Sequence, residues 1–323
     1  MSFFIDKLYE GGMPKSLTDY TLENDLEGMV FNLGNTIANE IKSGRYDLIN
    51  CGLNDNGEGV MLFRLYTPTG INYHEYHVVI SDGIPKIGDL HIYATGEYLS
   101  QVFSRMIYSS LEGNPIVSKN LSLEAVEAME AMGKATELSQ SGNYQQAFDE
   151  LQKAKVRFGN EKHWNVLNLT MASQLDSIKY IELLEDFKSK YERDPTWLLM
   201  GIDYYFLKKD WDGALKTLDD LNTAVGYDPI LDFYKSIVYY YQDNLEKSYN
   251  EITELPEYIY YTIPDVLFTK LEIELSLKKY SKAVVSLDSI NSYFGTSLEE
   301  VDLSDYPDFV QSQQYRELSK RSK

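Results

Sequence analysis

Five times between residues 144 and 283, an aromatic residue or a leucine stands three positions before a small or apolar one, and each pair opens an amphipathic run. The pairs are Tyr144/Ala147, Tyr180/Leu183, Trp211/Ala214, Leu245/Ser248 and Tyr280/Ala283, and their second members lie 36, 31, 34 and 35 residues apart. A helical hydrophobic rhythm repeated about every 34 residues predicts tandem helix–turn–helix units, each burying one face against its neighbour. Asp194-Pro195 and Asp228-Pro229 mark hairpin ends at the same period, because proline cannot continue a helix and disfavours helix in the residue before it.

The third unit is the most regular. Trp197, Met200, Gly201 and Tyr204 stand as W-x2-M-G-x2-Y, followed by Trp211, Ala214, Leu218 and Leu221, and closed by Pro229. Gly201 and Ala214 are small enough for two antiparallel helices to approach, and Trp197, Tyr204 and Leu218 fill the space around that contact. The pattern resembles the tetratricopeptide signature W-x2-L-G-x2-Y…A-x3-F…P. The resemblance covers about 123–295 and implies a mostly α fold, a helical solenoid of about five helix pairs plus a capping helix. The first unit, about 123–159, keeps Gly142-Asn143-Tyr144, Ala147, Leu151 and Ala154, and its Ala-, Met- and Glu-rich first helix suits an entry cap. The second opens with Trp164, Leu167 and Asn168 and carries extra residues before Tyr180. The fourth runs from Pro229 to about Pro256, and the fifth from Pro264 through Leu271, Ala283 and Ile290 to Gly295. Residues 305–320, opening at Pro307 with Phe309, Tyr315 and Leu318 on one face, are expected to close the array.

Residues 1–115 have a different texture, that of a small α+β domain with an antiparallel sheet. Leu22, Leu26, Met29, Val30, Leu33, Ile37 and Ile41 recur at helical steps, and Ser43-Gly44 ends that helix. Strand-like runs follow at Val60–Tyr66, Tyr73–Ile80 and Leu90–Tyr93, separated by Thr67-Pro68-Thr69-Gly70 and by the turn signal Ser81-Asp82-Gly83. A second helix is expected over about 96–111, giving helix, three-stranded meander, helix. This order resembles nuclear-transport-factor-2-like and cystatin-like folds. Gly113–Asn120 reads as the linker, and Ser122 as the cap of the first helix of a 121–323 array.

Fifty acidic against 30 basic residues leave a formal charge of −20, which repels phosphate backbones and anionic membrane surfaces. Nucleic acid is therefore a poor partner. The same acidity also serves solubility and solvated helix faces. The single cysteine, Cys51, excludes an intramolecular disulfide and a multi-cysteine metal site. No segment reads as a secretory leader or a membrane span, so the chain as given is expected to be cytoplasmic; an exported chain whose leader had been removed would read the same way.

Candidate chemistry is sparse. His74, His77 and His91 lie among Glu75 and Asp89, but side chains three apart on a strand point to opposite faces, so His74 and His77 cannot chelate one ion. Glu75 and His77 share a face, and strand pairing can bring His91 near one of them. Glu75, His77 and Tyr93 are the candidate lining of a ligand pocket, against the plainer reading of histidines on the wet face of a sheet. Gly57-Glu58-Gly59 lacks the third glycine and the helix of a phosphate loop, and no nucleophile elbow or zinc-protease motif occurs. No cofactor, metal or catalytic residue is expected.

The tetratricopeptide resemblance implies that the first helix of each unit lines a concave surface. Carried over position by position, it assigns Leu198, Ile202, Tyr205 and Phe206 in unit three and Phe233, Ile237, Tyr240 and Tyr241 in unit four to a peptide-binding groove. Tyrosine suits such a groove, with a large apolar ring and a polar tip; the same residues can instead pack on neighbouring helices. No lysine clamp for a carboxylate terminus stands among them. The expected function is a protein-interaction scaffold with an unidentified protein or peptide partner. The alternatives are an α+β module that binds or transforms a small ligand with the solenoid as a docking arm, and a homo-oligomeric structural subunit.

Overall fold

The computed structural model describes residues 44–54, 57–110 and 123–321, together with positions 35, 37–39, 41 and 42. The linker over 113–120 and the Ser122 cap lie outside the described residues, as does most of the helix expected over 22–41. The chain forms two compact units, one ending at Leu207 and one beginning at Lys208.

In the first unit, five strands form an antiparallel sheet in sequence order: β1 (Arg45–Leu53), β2 (Gly59–Thr67), β3 (Gly70–Ser81), β4 (Ile84–Ile92) and β5 (Glu97–Tyr98). Asp82 and Gly83 join β3 to β4 with φ of 55° and 75°, the left-handed pair that a tight hairpin requires and that Asp-Gly supplies. The sheet has two strands more than the pattern of alternation predicts. β1 escapes that pattern because its register slips between Leu48 and Asn50, and an extra residue destroys the period-two signal. A second slip after His77 hides the first half of β4 in the same way. β5 takes the first residues expected of the second helix, which begins instead at Leu99 as α1 (Leu99–Ser110). Asp89 holds that start, accepting hydrogen bonds from the Ser100 amide at 3.1 Å and the Ser100 hydroxyl at 2.6 Å.

Arg64 is wholly buried in this sheet and bonds Asp47 at 2.7 Å, while Arg45 reaches the other oxygen of Asp47 at 2.6 Å. Burial pushes the Asp47 carboxyl upward, but the hydrogen bonds from Arg45 and Arg64 outweigh it and hold the group below its ordinary value.

Helical hairpins follow in the same unit. α2 (Leu123–Gln140) pairs with α3 (Tyr144–Lys153), a short α4 (Lys155–Phe158) follows, and α5 (Lys162–Ser173) pairs with α6 (Ser177–Tyr191). The Ala-rich face has a packing reason: Ala128, Ala131, Ala135, Ala147 and Ala154 are buried together, so these helices approach closely. Trp164 closes the cluster and donates its indole hydrogen to the Leu151 carbonyl at 3.1 Å. α7 (Pro195–Lys208) then begins, its first turn satisfied by Asp194, which accepts from the Thr196 amide at 2.9 Å.

The second unit contains α8 (Trp211–Val225), α9 (Pro229–Tyr241), α10 (Leu245–Thr253), α11 (Glu257–Thr262), α12 (Pro264–Ser276) and α13 (Tyr280–Phe294). The α9–α10 and α12–α13 turns share one geometry. Asp243 and Lys278 sit at φ of 58° and 56°, and the next amide returns to a carbonyl of the preceding helix, Asn244 to Tyr239 at 2.9 Å and Lys279 to Glu274 at 2.8 Å. The equivalent Gly142 turn announces itself more plainly in sequence, because glycine adopts left-handed backbone without the steric cost that a side chain brings at Asp243 and Lys278. The short α11 was not expected; it is held by Leu255, Ile259 and Ile263, buried at four-residue steps. The terminal cap consists of two helices, α14 (Pro307–Val310) and α15 (Gln313–Arg321), with Phe309 and Leu318 buried against α12 and α13 residues.

Candidate functional site

Two groups of side chains stand where the sequence points. The first lies on one face of the sheet. Glu75 is paired with His91 across β3 and β4, and its carboxylate is held at both oxygens, by His77 Nε2 at 3.0 Å and by the Tyr93 hydroxyl at 3.1 Å. The hydrogen bond from His77 lowers the Glu75 carboxyl and raises the His77 imidazole, each charge favouring the other. Glu58, 3.8 Å from His77 Nδ1, adds to the rise. His91 moves the other way, lowered by burial and then by the Lys162 ammonium. The three candidate residues thus come together, bonded to one another. Among the described residues no group of three or more His, Cys, Asp or Glu could hold a metal ion.

The same face meets the hairpins of its unit. Lys162 of α5 bonds Asp194 at 2.9 Å, and Gly96 in the β4–β5 turn is seated against both segments at φ of 68°. A Cβ there would lie 2.6 Å from Thr196 Oγ1 and 2.7 Å from Lys162 Cε. Gly96→Ala is accordingly expected to destabilise the first unit by about 1–3 kcal/mol through left-handed strain and this clash. Urea denaturation followed by circular dichroism measures it, and an unchanged midpoint would show that the turn yields freely.

His74, on the opposite face, is a correction to the reading of wet-face histidines: it is 4% exposed. Asn72 Oδ1 accepts two amides, from Tyr73 at 2.8 Å and Ala94 at 2.9 Å, which leaves its Nδ2 to donate to His74 Nε2 at 3.2 Å. That assigns the proton to Nδ1, which donates to the Tyr46 hydroxyl at 3.0 Å, and Tyr46 donates onward to Tyr76 at 2.8 Å. Burial holds His74 down to about 4, so the ring is neutral and serves as a strut between β1 and β3.

The second group comprises the first-helix aromatics. In the first unit, Leu198 and Ile202 are buried, whereas Tyr205 and Phe206 are half-buried. Tyr205 accepts a hydrogen bond from Lys188 at 2.8 Å and meets the Tyr204 ring edge-on at 4.9 Å. In the second unit, Phe233 is buried, Ile237 and Tyr240 are half-buried, and Tyr241 is 60% exposed. Tyr241 stacks on Trp211 with centroids 5.6 Å apart and planes 10° apart. One contributor was invisible to the spacing argument: Lys188 sits on a second helix, outside the positions the resemblance assigns.

Fold and site together define tandem helix hairpins that follow an antiparallel α+β module in the chain, an arrangement that resembles tetratricopeptide repeats. First helices beginning at Pro195, Pro229 and Pro264 keep the period. No protein-family model and no curated protein matches the chain. A solved structure, that of a thermophilic TPR protein from Thermus thermophilus, is similar at a TM-score of 0.39 and 13% identity, covering 57% of this chain and 100% of that one. No helix among the described residues is long and apolar enough to cross a membrane.

Proposed function

We propose that this chain is a non-enzymatic interaction scaffold, binding an extended or helical segment of a partner protein on the aromatic faces of its first helices and using no cofactor. The observation that carries this reading is the exposed ring of Tyr241, held rigid by its stack on Trp211 at the end of a first helix. A rigid aromatic surface gains contact area with little entropy loss, which is how interface anchors work. Tyr205 supports it in the first unit, its ring fixed by Lys188 and Tyr204. The alternative, a ligand-binding or catalytic sheet module, is weaker because Glu75, His77 and Tyr93 direct their hydrogen bonds at each other.

The test is affinity capture from lysate with the full chain and with Tyr205→Ala/Tyr240→Ala. Recovery of a partner should fall about tenfold or more, the scale of losing interface anchors, while helicity and melting temperature stay near wild type. A double variant that retains its partner, or that loses several kcal/mol of stability, would make these residues core rather than interface.

A further inference from the structure

β1 forms one edge of the sheet, and among the described residues no strand and no backbone hydrogen bond reaches its outer side. Its nine residues therefore turn a row of main-chain donors and acceptors outward, a template onto which another strand can add. The opposite edge is closed. β5 has two residues, one of them the buried Glu97, and the chain passes directly from it into α1.

Edge strands in natural proteins are guarded by lysine, proline, inward charges or bulges. β1 has its bulge between Leu48 and Asn50, but from Leu48 to Asn54 it carries no charge and no proline. Its two charged residues lie earlier: Arg45 bonds Asp47 at 2.6 Å, and Asp47 also bonds Arg64. Beyond the bulge, Asn50–Leu53 runs in unbroken register with Gly59–Leu62, so this half of the strand offers a regular edge. Leu48 and Leu53 are 52% and 75% exposed along it, apolar surface that a neighbouring strand would remove from water. Charge selects the occupant. The chain carries −20 overall, so two copies repel over most of their surface and approach most easily where charge is lacking, as it is over Leu48–Asn54. With one open edge per chain, copies join β1 to β1, an isologous contact that closes at two.

We propose that β1 pairs antiparallel with β1 of a second copy, centred on Cys51, giving a two-fold dimer with one sheet running through both chains. Cys51 is the centre because the uncharged run 48–54 then matches onto itself. Leu53 of each chain comes opposite Ile49 of the other, and Cys51 lies against its own counterpart. This surface is separate from the aromatic helix faces assigned to a partner segment, and neither reading depends on the other.

Light scattering on the full chain should show the mass rising from one chain to two between about 1 and 100 μM, the range of a modest interface. Leu53→Lys places an edge lysine in the contact, and Cys51→Asp sets a carboxylate against its own copy. Each should weaken the dimer about tenfold or more, whereas Cys51→Ser should leave it intact. Both positions are exposed, so the melting temperature of the variants should stay near wild type. The cysteine also reports the register. Residues directly opposite on antiparallel strands lie within disulfide reach, so diamide, which takes up the two thiol hydrogens, should link wild-type dimers rapidly. Leu53→Lys keeps the thiol and should resist linking. A chain that stays monomeric up to about 100 μM overturns the proposal. So does a dimer that survives both Leu53→Lys and Cys51→Asp, or one whose Cys51 thiols do not link.

Discussion

Phe309→Ala is expected to lower the stability of the C-terminal unit by about 3–5 kcal/mol, the cost of removing a buried aromatic ring. Phe309 is fully buried and packs on Tyr280 and Tyr315, each with a centroid 5.4 Å away. α14 has four residues, too few to hold a helix by backbone hydrogen bonds alone, so its position depends on that ring. Without it the cap loosens and the faces of Leu287, Ile290 and Leu318 open to water. A helical array with an uncapped end exposes a surface shaped to stack on another helix, so self-association should accompany the loss. Urea denaturation together with hydrogen exchange over α13 measures the first effect, and light scattering the second. A loss under about 1 kcal/mol would mean that Leu303 and Leu318 hold the cap without Phe309.

Asp47→Ala should cost the first unit about 3 kcal/mol, because it removes a carboxylate partner of a guanidinium that is wholly out of water. The pH dependence has a definite sign. The carboxyl is held below its ordinary value in the folded chain, so its contribution is fully present above the unfolded pKa and fades as pH falls through the folded one. Wild type and Asp47→Ala should therefore converge in stability in acid and stand furthest apart near neutrality. Asp47→Ala/Arg64→Met should recover much of the loss, since an apolar side chain of similar length leaves no charge buried. Chemical denaturation across pH checks both; a gap that stays constant into acid would show that the ion pair contributes nothing.

Much of the helical half was legible because its signals are local. Asp176, Asp194 and Asp228 each accept backbone amides at the start of a helix, and Pro195, Pro229 and Pro264 open their helices, all within a turn of the residue concerned. Asp82-Gly83 was legible for the same reason. The sheet was less so, because a bulge changes alternation without changing composition, and β1 disappeared behind one. The candidate site followed the same division. That Glu75 and His77 share a face needs only the period of a strand, whereas the hydroxyl of Tyr93 on Glu75 needs the β3–β4 register.

Period, helix starts and the acidic surface are thus properties of the chain as written, since each depends on neighbours within a few residues or on simple counts. Long-range packing settled the rest. It buried Leu198, Ile202 and Phe233, half-buried Tyr205, Phe206, Ile237 and Tyr240, and left Tyr241 exposed. Spacing names the residues that share a helix face; which of them keep any surface depends on the segments that arrive from elsewhere in the chain to cover them.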